Sequence, residues 1–163
     1  METMEARMVK LYARNNNHVA LHAIPGHFAT SHSHINFYID MTSLKTRANE
    51  AQEVAKSLAG DYVNSTVVDT IVCMDGTEVV GAYLAQEFEK RGFRNTNLHD
   101  TIYVVTPEYN ANNQLIFRDN TIPAIKGKNV ILLLATTTTG LTVRRSLECV
   151  QYYGGTVHGI SSI

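Results

Sequence analysis

Two stretches of this chain read as a buried strand that runs straight into a tight loop and then a helix. That grammar restricts the fold more than anything else in the sequence. Val67–Cys73 is an apolar run broken only by Asp69 and Thr70, followed by Met74-Asp75-Gly76-Thr77 and a helical stretch, Glu78–Lys90, ended by Gly92. Thr101–Val105, short and β-branched, closes this first unit. Val130–Ala135 begins the second, introduced by the turn Lys126-Gly127-Lys128-Asn129 and followed by four threonines and Gly140. A helix is expected over Thr142–Tyr153, ended by Gly154-Gly155, and a last strand over Thr156–Ile160. Strand, loop, helix and strand in that order predict parallel βαβ units. Strands without polar alternation predict a sheet covered on both faces. Ligands of such sheets bind beyond the carboxyl ends of the strands, so Met74–Thr77 and Thr136–Gly140 are the first places to look for a site.

Composition agrees with one globular unit. The 163 residues are about one domain's worth, with 44% hydrophobic and 18% charged side chains, which disfavours disorder. Net charge is −1 with no lysine/arginine block, so a general nucleic-acid surface is not expected. No apolar run approaches the ~20 residues of a membrane span, and the acidic start Met1–Glu5 lacks the features of a signal peptide. A cytoplasmic protein is the expectation. Cys73 and Cys149 lie far apart in apolar surroundings, which argues against a disulfide framework or a cysteine-based zinc site.

The N-terminal part is less regular. Apolar positions Met4, Met8, Leu11 and Tyr12 predict a helix over Glu2–Arg14. Val19–Ile24 reads as extended, Pro25-Gly26 as a turn, and His34–Asp40 as a strand. Thr46–Ala59 reads as an amphipathic helix with Gly60 as its stop. Asn110–Asn120 reads as a long loop or an irregular hairpin.

The loop Thr136-Thr137-Thr138-Thr139-Gly140-Leu141-Thr142 is the most informative segment. A hydroxyl-rich turn entering a helix aims backbone N–H groups at one spot, which suits a phosphate dianion. Two readings are open: a phosphate cradle, or a helix merely capped by Thr138 or Thr139. Two readings are also open for Asp75 and Glu78: complements to a helix dipole, or site carboxylates. His27, His32 and His34 are either an exposed polar loop, a metal cluster, or ligand contacts. Lys45 or Arg47 is placed to reach a phosphate. Tyr109 and Phe117 either stack on a base or pack their loop down, and Arg144 and Arg145 read as solvated helix residues.

These residues carry a resemblance. Val130–Leu133 and Thr138-Thr139-Gly140-Leu141-Thr142 resemble the thirteen-residue phosphoribosyl-pyrophosphate (PRPP) motif of type I phosphoribosyltransferases: four apolar, two acidic and two apolar residues, then Thr-Thr-Gly-x-Thr. Gly26–Asp40 resembles the segment that opens orotate phosphoribosyltransferases, and Met74–Glu78 sits where that family has its pyrophosphate loop. The likeness covers nearly the whole chain, in order.

The resemblance implies an α/β fold with a central parallel sheet flanked by helices, and a small N-terminal hood. The hood would take residues 1–45 and the core 60–163 of a single domain. It further implies a homodimer active in nucleotide metabolism. Thr136–Thr139, Gly140 and Thr142 would hold the 5′-phosphate of PRPP or of a nucleotide monophosphate, and Met74, Asp75, Gly76 and Thr77 the pyrophosphate. His34, Lys45 and Arg118 would touch substrate, and Mg²⁺ would be needed for catalysis. Two departures are visible. Leu134 and Ala135 stand where the family has the acidic pair that reads the ribose hydroxyls and helps place magnesium, and neither has an acceptor oxygen. Pro107–Pro123, in place of the family's basic catalytic loop, holds Arg118 as its one basic residue. A non-catalytic relative that binds a phosphate ester, as a sensor or regulatory protein, is the alternative.

Overall fold

The computed structural model describes residues 3–30, 33–62, 67–90 and 101–163. Its centre is a four-stranded parallel sheet in the order β5-β4-β8-β9. β4 is Thr70–Cys73, β5 Tyr103–Val105, β8 Asn129–Leu134 and β9 Thr156–Ser162. Helix α3, Glu78–Lys90, connects β4 to β5, and α4, Leu141–Tyr152, connects β8 to β9. Every residue of β4 is buried, as is β8 from Val130 to Leu134. Apolar side chains of these two strands alternate between two clusters. Ile71 and Leu133 pack with α3 residues such as Leu84 and Phe88. Val72, Leu132 and Leu134 pack with Val150 of α4 and with Ile125 and Phe117. This is the doubly covered sheet that unbroken apolar strands predict.

The first crossover leads outward from β4 to β5, and the second leads the other way from β8 to β9. The sheet therefore changes winding direction between β4 and β8. The carboxyl ends of these two strands flank a topological switch point.

Residues 9–40 form a separate three-stranded antiparallel sheet, β1 (Val9–Ala13), β2 (Asn16–Ala29) and β3 (His34–Asp40). The helix expected over Glu2–Arg14 is thus a short 3₁₀ turn, Met4–Arg7, followed by a strand. Val9 and Leu11 pair with Ala23 and Leu21, so a non-local ladder overrides a helical spacing that was local only. Pro25-Gly26 is not a chain reversal either. It lies inside β2, where the register slips by one residue between Pro25↔Phe37 and Phe28↔Ile35. A bulge is where a strand tolerates a residue without an N–H.

Two helices follow, α1 (Thr42–Thr46) and α2 (Ala48–Ala59), in place of one from Thr46. Gly60 keeps helical angles (φ −57°, ψ −35°) and leads into a 3₁₀ turn, so it is not a left-handed stop. Val19, Met41 and Leu44 share the core cluster of Ile71 and Leu133, which anchors the antiparallel sheet to the parallel one. The Asn-rich segment is a hairpin, β6 (Glu108–Tyr109) with β7 (Leu115–Ile116). Gly92 lies outside the described residues. Among the described residues, no helix is long and apolar enough to cross a membrane.

Close packing of α3 on β4 makes a stability prediction. A Cβ at Gly81 would fall on Cys73 Sγ and come within 3.2 Å of Val104 Cγ1, whereas one at Gly60 would meet nothing within 4 Å. Gly81→Ala should cost about 1–2 kcal/mol despite better helix propensity. Gly60→Ala should be neutral or gain about 0.4–1 kcal/mol. Urea unfolding midpoints of the two variants, moving in opposite directions or with only Gly81→Ala falling, check this.

Candidate functional site

Cys73 and Leu133 are register partners at the carboxyl ends of β4 and β8. Just beyond them, the Met74 N–H donates to the Leu133 carbonyl at 2.8 Å. The Thr77 hydroxyl donates to the same carbonyl at 3.1 Å and to the Met74 carbonyl at 2.8 Å. The Met74–Thr77 loop is therefore fixed against the end of β8. Met74 and Thr77 are buried in making this joint, and only Asp75 and Gly76 of that loop face outward. These two have left-handed backbone angles, φ 57° and 77°. Aspartate and glycine are among the residues that adopt such angles most readily. Lys45 Nζ, reaching over from α1, donates to the Asp75 carbonyl at 2.8 Å and pins the turn.

On the β8 side, Leu134 and Ala135 are 0% and 4% exposed. The positions where the PRPP motif has its acidic pair are apolar and buried. Exposure begins abruptly at Thr136 and continues through Thr139. Gly140, at φ 76°, is the N-cap residue of α4, and no side-chain hydrogen bond caps the helix. The reading in which Thr138 or Thr139 caps α4 through its hydroxyl is thereby removed. The first α4 bond runs from the Arg144 N–H to the Gly140 carbonyl. This leaves the N–H groups of Leu141, Thr142 and Val143 without helical acceptors. The Thr136–Thr139 hydroxyls likewise have no partner among the described residues.

A cavity of about 320 Å³ lies against this loop, lined by Thr136–Thr142, Asp75 and Arg145. An adjoining one of about 340 Å³ shares Thr139, Gly140 and Leu141 and adds Arg144. Arg144 is 3.6 Å from the Glu148 carboxylate, whereas Arg145 makes no ion pair among the described residues. Arg145 is the functional candidate that the sequence reading passed over. Neighbouring helix positions point about 100° apart, and only the seating of α4 decides which arginine looks toward the loop.

The remaining candidates lie elsewhere. His34 Nδ1 is 2.8 Å from His27 Nε2 on the β2–β3 hairpin, and His32 lies outside the described residues. Arg118 is held by Glu108 through two contacts, 2.9 and 2.7 Å, at the base of the β6–β7 hairpin. Phe117 is buried, edge-on to Tyr153 at 5.4 Å, so it packs its loop down, and Tyr109 is exposed. Arg47 pairs with Glu50 at 2.9 Å. Glu78 accepts a hydrogen bond from the Thr106 hydroxyl at 3.1 Å, which leaves Asp75 as the carboxylate lining the threonine-loop cavity. Burial pushes the Asp75 carboxyl above its ordinary range, and the Lys45 ammonium partly offsets this.

Among the described residues, no group of three or more His, Cys, Asp or Glu side chains is placed to hold a metal. Burial raises the thiols of Cys73 and Cys149 to about 12 and about 11, so neither is a ready nucleophile or ligand.

No family model matches the sequence, and no curated protein matches it. Solved structures do match. Mycobacterium tuberculosis orotate phosphoribosyltransferase in complex with Fe(III) dicitrate aligns over 88% of this chain and 77% of its own, with TM-score 0.57 and 16% identity. That enzyme has also been solved in complex with PRPP. Leishmania donovani UMP synthase aligns over 86% of this chain and 28% of its own, with TM-score 0.61 and 16% identity. Adenine phosphoribosyltransferase from Rhodothermus marinus aligns over 99% of this chain and 84% of its own, with TM-score 0.54 and 14% identity. At these identities the likeness is one of architecture: parallel sheet, flanking helices and N-terminal antiparallel sheet together give this chain the type I phosphoribosyltransferase fold.

Proposed function

We propose that this chain binds the 5′-phosphate of a nucleotide or related phosphoribosyl ester at the 136–142 loop, as a binding or regulatory relative of the phosphoribosyltransferases. One observation carries the reading. Four exposed threonines, a left-handed Gly140 and the uncapped first turn of α4 surround one cavity with donors that nothing else in the described chain uses. Neutral donors and a helix N-terminus stabilise a phosphate, and Arg145 adds a permanent positive charge.

Transfer of phosphoribose from PRPP is less well supported. A magnesium ion bound with substrate phosphates commonly takes one or two carboxylates. Leu134 and Ala135 supply none, and among the described residues Asp75 is the one carboxylate lining the cavity. Arg118, the one basic residue of the segment in place of the catalytic loop, is spent on Glu108. Mg²⁺ belongs to this reading only as the companion of a PRPP that is turned over. A cytoplasmic homodimer in nucleotide metabolism completes the proposal. Val9, Leu11, Phe37 and Ile39, exposed on one face of the antiparallel sheet, support a second copy as partner.

Calorimetric titration with a nucleoside 5′-monophosphate tests the binding. Wild type should bind without Mg²⁺. Thr139→Val should weaken binding by about 10- to 100-fold, the worth of one hydrogen bond to a charged group. Release of pyrophosphate from PRPP in the presence of Mg²⁺ and a base would instead establish transfer. Sedimentation should show a dimer that Leu11→Asp with Phe37→Asp converts to monomer.

A further inference from the structure

The charges around the threonine loop do not suit two phosphates, and this deepens the proposed function, on which it rests. Arg145 is the cationic side chain lining the cavity, and Asp75 lines it too. Among the described residues, no other basic side chain lines this cavity. Lys45 Nζ donates to the Asp75 carbonyl at 2.8 Å and partly offsets the Asp75 carboxylate, but does not line the cavity, and Arg118 forms its paired contact with Glu108. Arg144, beside Glu148, borders only the adjoining cavity.

One phosphate monoester is matched by one arginine, the free hydroxyls and the uncapped N–H groups of α4. A diphosphate on the same ligand brings more negative charge into a cavity of about 320 Å³ whose other charged side chain, among the described residues, is a carboxylate. Lys45 holds the Asp75 carbonyl and both turn residues have left-handed angles, so the backbone fixes where this carboxylate joins the cavity lining.

We infer that Asp75 is a specificity-determining residue that makes this site select phosphoribosyl monoesters, of the ribose 5-phosphate or nucleoside 5′-monophosphate class, and reject ligands that carry an additional diphosphate, PRPP among them. PRPP and ribose 5-phosphate share the group that the loop would hold and differ by the diphosphate. They form a matched pair for the test.

The experiment is calorimetric titration of both ligands into the full chain, wild type and Asp75→Asn, each with and without Mg²⁺. Asparagine keeps the shape of the side chain and tolerates the left-handed backbone angle. Wild type should bind PRPP at least about tenfold more weakly than ribose 5-phosphate, the effect of one like charge at close range and intermediate dielectric. Asp75→Asn should shrink that ratio. PRPP binding as tightly as ribose 5-phosphate to wild type, with Mg²⁺ or without, overturns the inference while leaving the phosphate loop in place. An unchanged ratio in Asp75→Asn overturns the role of Asp75. The wild-type ratio decides the selectivity even should the variant fail to fold. Failure of both ligands to bind overturns the phosphate-loop reading itself, and the selectivity with it.

Discussion

Parallel pairing of β4 with β8, from Thr70↔Val130 to Cys73↔Leu133, sets the position of everything else at this site. Both strands bury their side chains on both faces, and fully burying each Val, Leu or Ile contributes roughly 1.5–3 kcal/mol. The pair is also stitched by polar groups at either end. At the start, the Asp69 carboxylate accepts from the Asn129 backbone N–H and side-chain amide, both at 2.8 Å. At the far end, Thr77 ties its loop to Leu133 across a sequence separation of 56 residues. Opposite winding on either side of this pair opens the crevice, and the two loops form its walls.

The walls differ in chemistry. The β8 side ends in apolar, buried Leu134 and Ala135, then turns abruptly to exposed hydroxyls. A buried carboxylate pair at those positions would need partners, because an unpaired buried charge is costly. Leu134 extends the α4-side packing instead, and Ala135 is buried next to it in the chain. The donors that remain are neutral or belong to Arg145, and the acidic side chain comes from the β4 side, from Asp75. This inversion of charge relative to the PRPP motif separates the fold of the chain from the activity that the fold is associated with. A phosphate cradle needs only the local turn and the helix behind it, whereas stabilising a departing pyrophosphate needs cations placed beyond it.

The antiparallel sheet contributes through its connection to the core. β3 leads into α1, where the Asp40 carboxylate accepts the Thr42 N–H at 2.9 Å; hydrogen bonding from the Thr42 side chain, and then from this N–H, keeps the carboxyl below its ordinary range. Leu44 sits in the core, α1 ends two residues later at Thr46, and between them Lys45 reaches the Asp75 turn. The N-terminal region thus steadies the Met74–Thr77 loop even though its His27 and His34 lie away on the β2–β3 hairpin.

The sequence by itself determined the elements whose character is local. Glu78–Lys90 is a helix at the bounds that its periodicity predicts, and the unbroken apolar runs are the inner strands of a doubly covered sheet. The threonine loop and its missing acidic neighbours were legible too, because they are a matter of residue identity alone. Tertiary structure decided what depends on partners remote in the chain. Met4–Tyr12 satisfies a helical spacing, yet β1 forms because β2 supplies a ladder. Pro25-Gly26 marks a bulge and not a turn, because β3 continues past it on the other side. Arg145 rather than Arg144 borders the threonine-loop cavity because of how α4 seats on the sheet, and the Thr77 hydroxyl forms a joint because the Leu133 carbonyl lies within its reach. Spacing along a chain reports which face a residue shares, but which face meets the crevice is set only when distant elements pack.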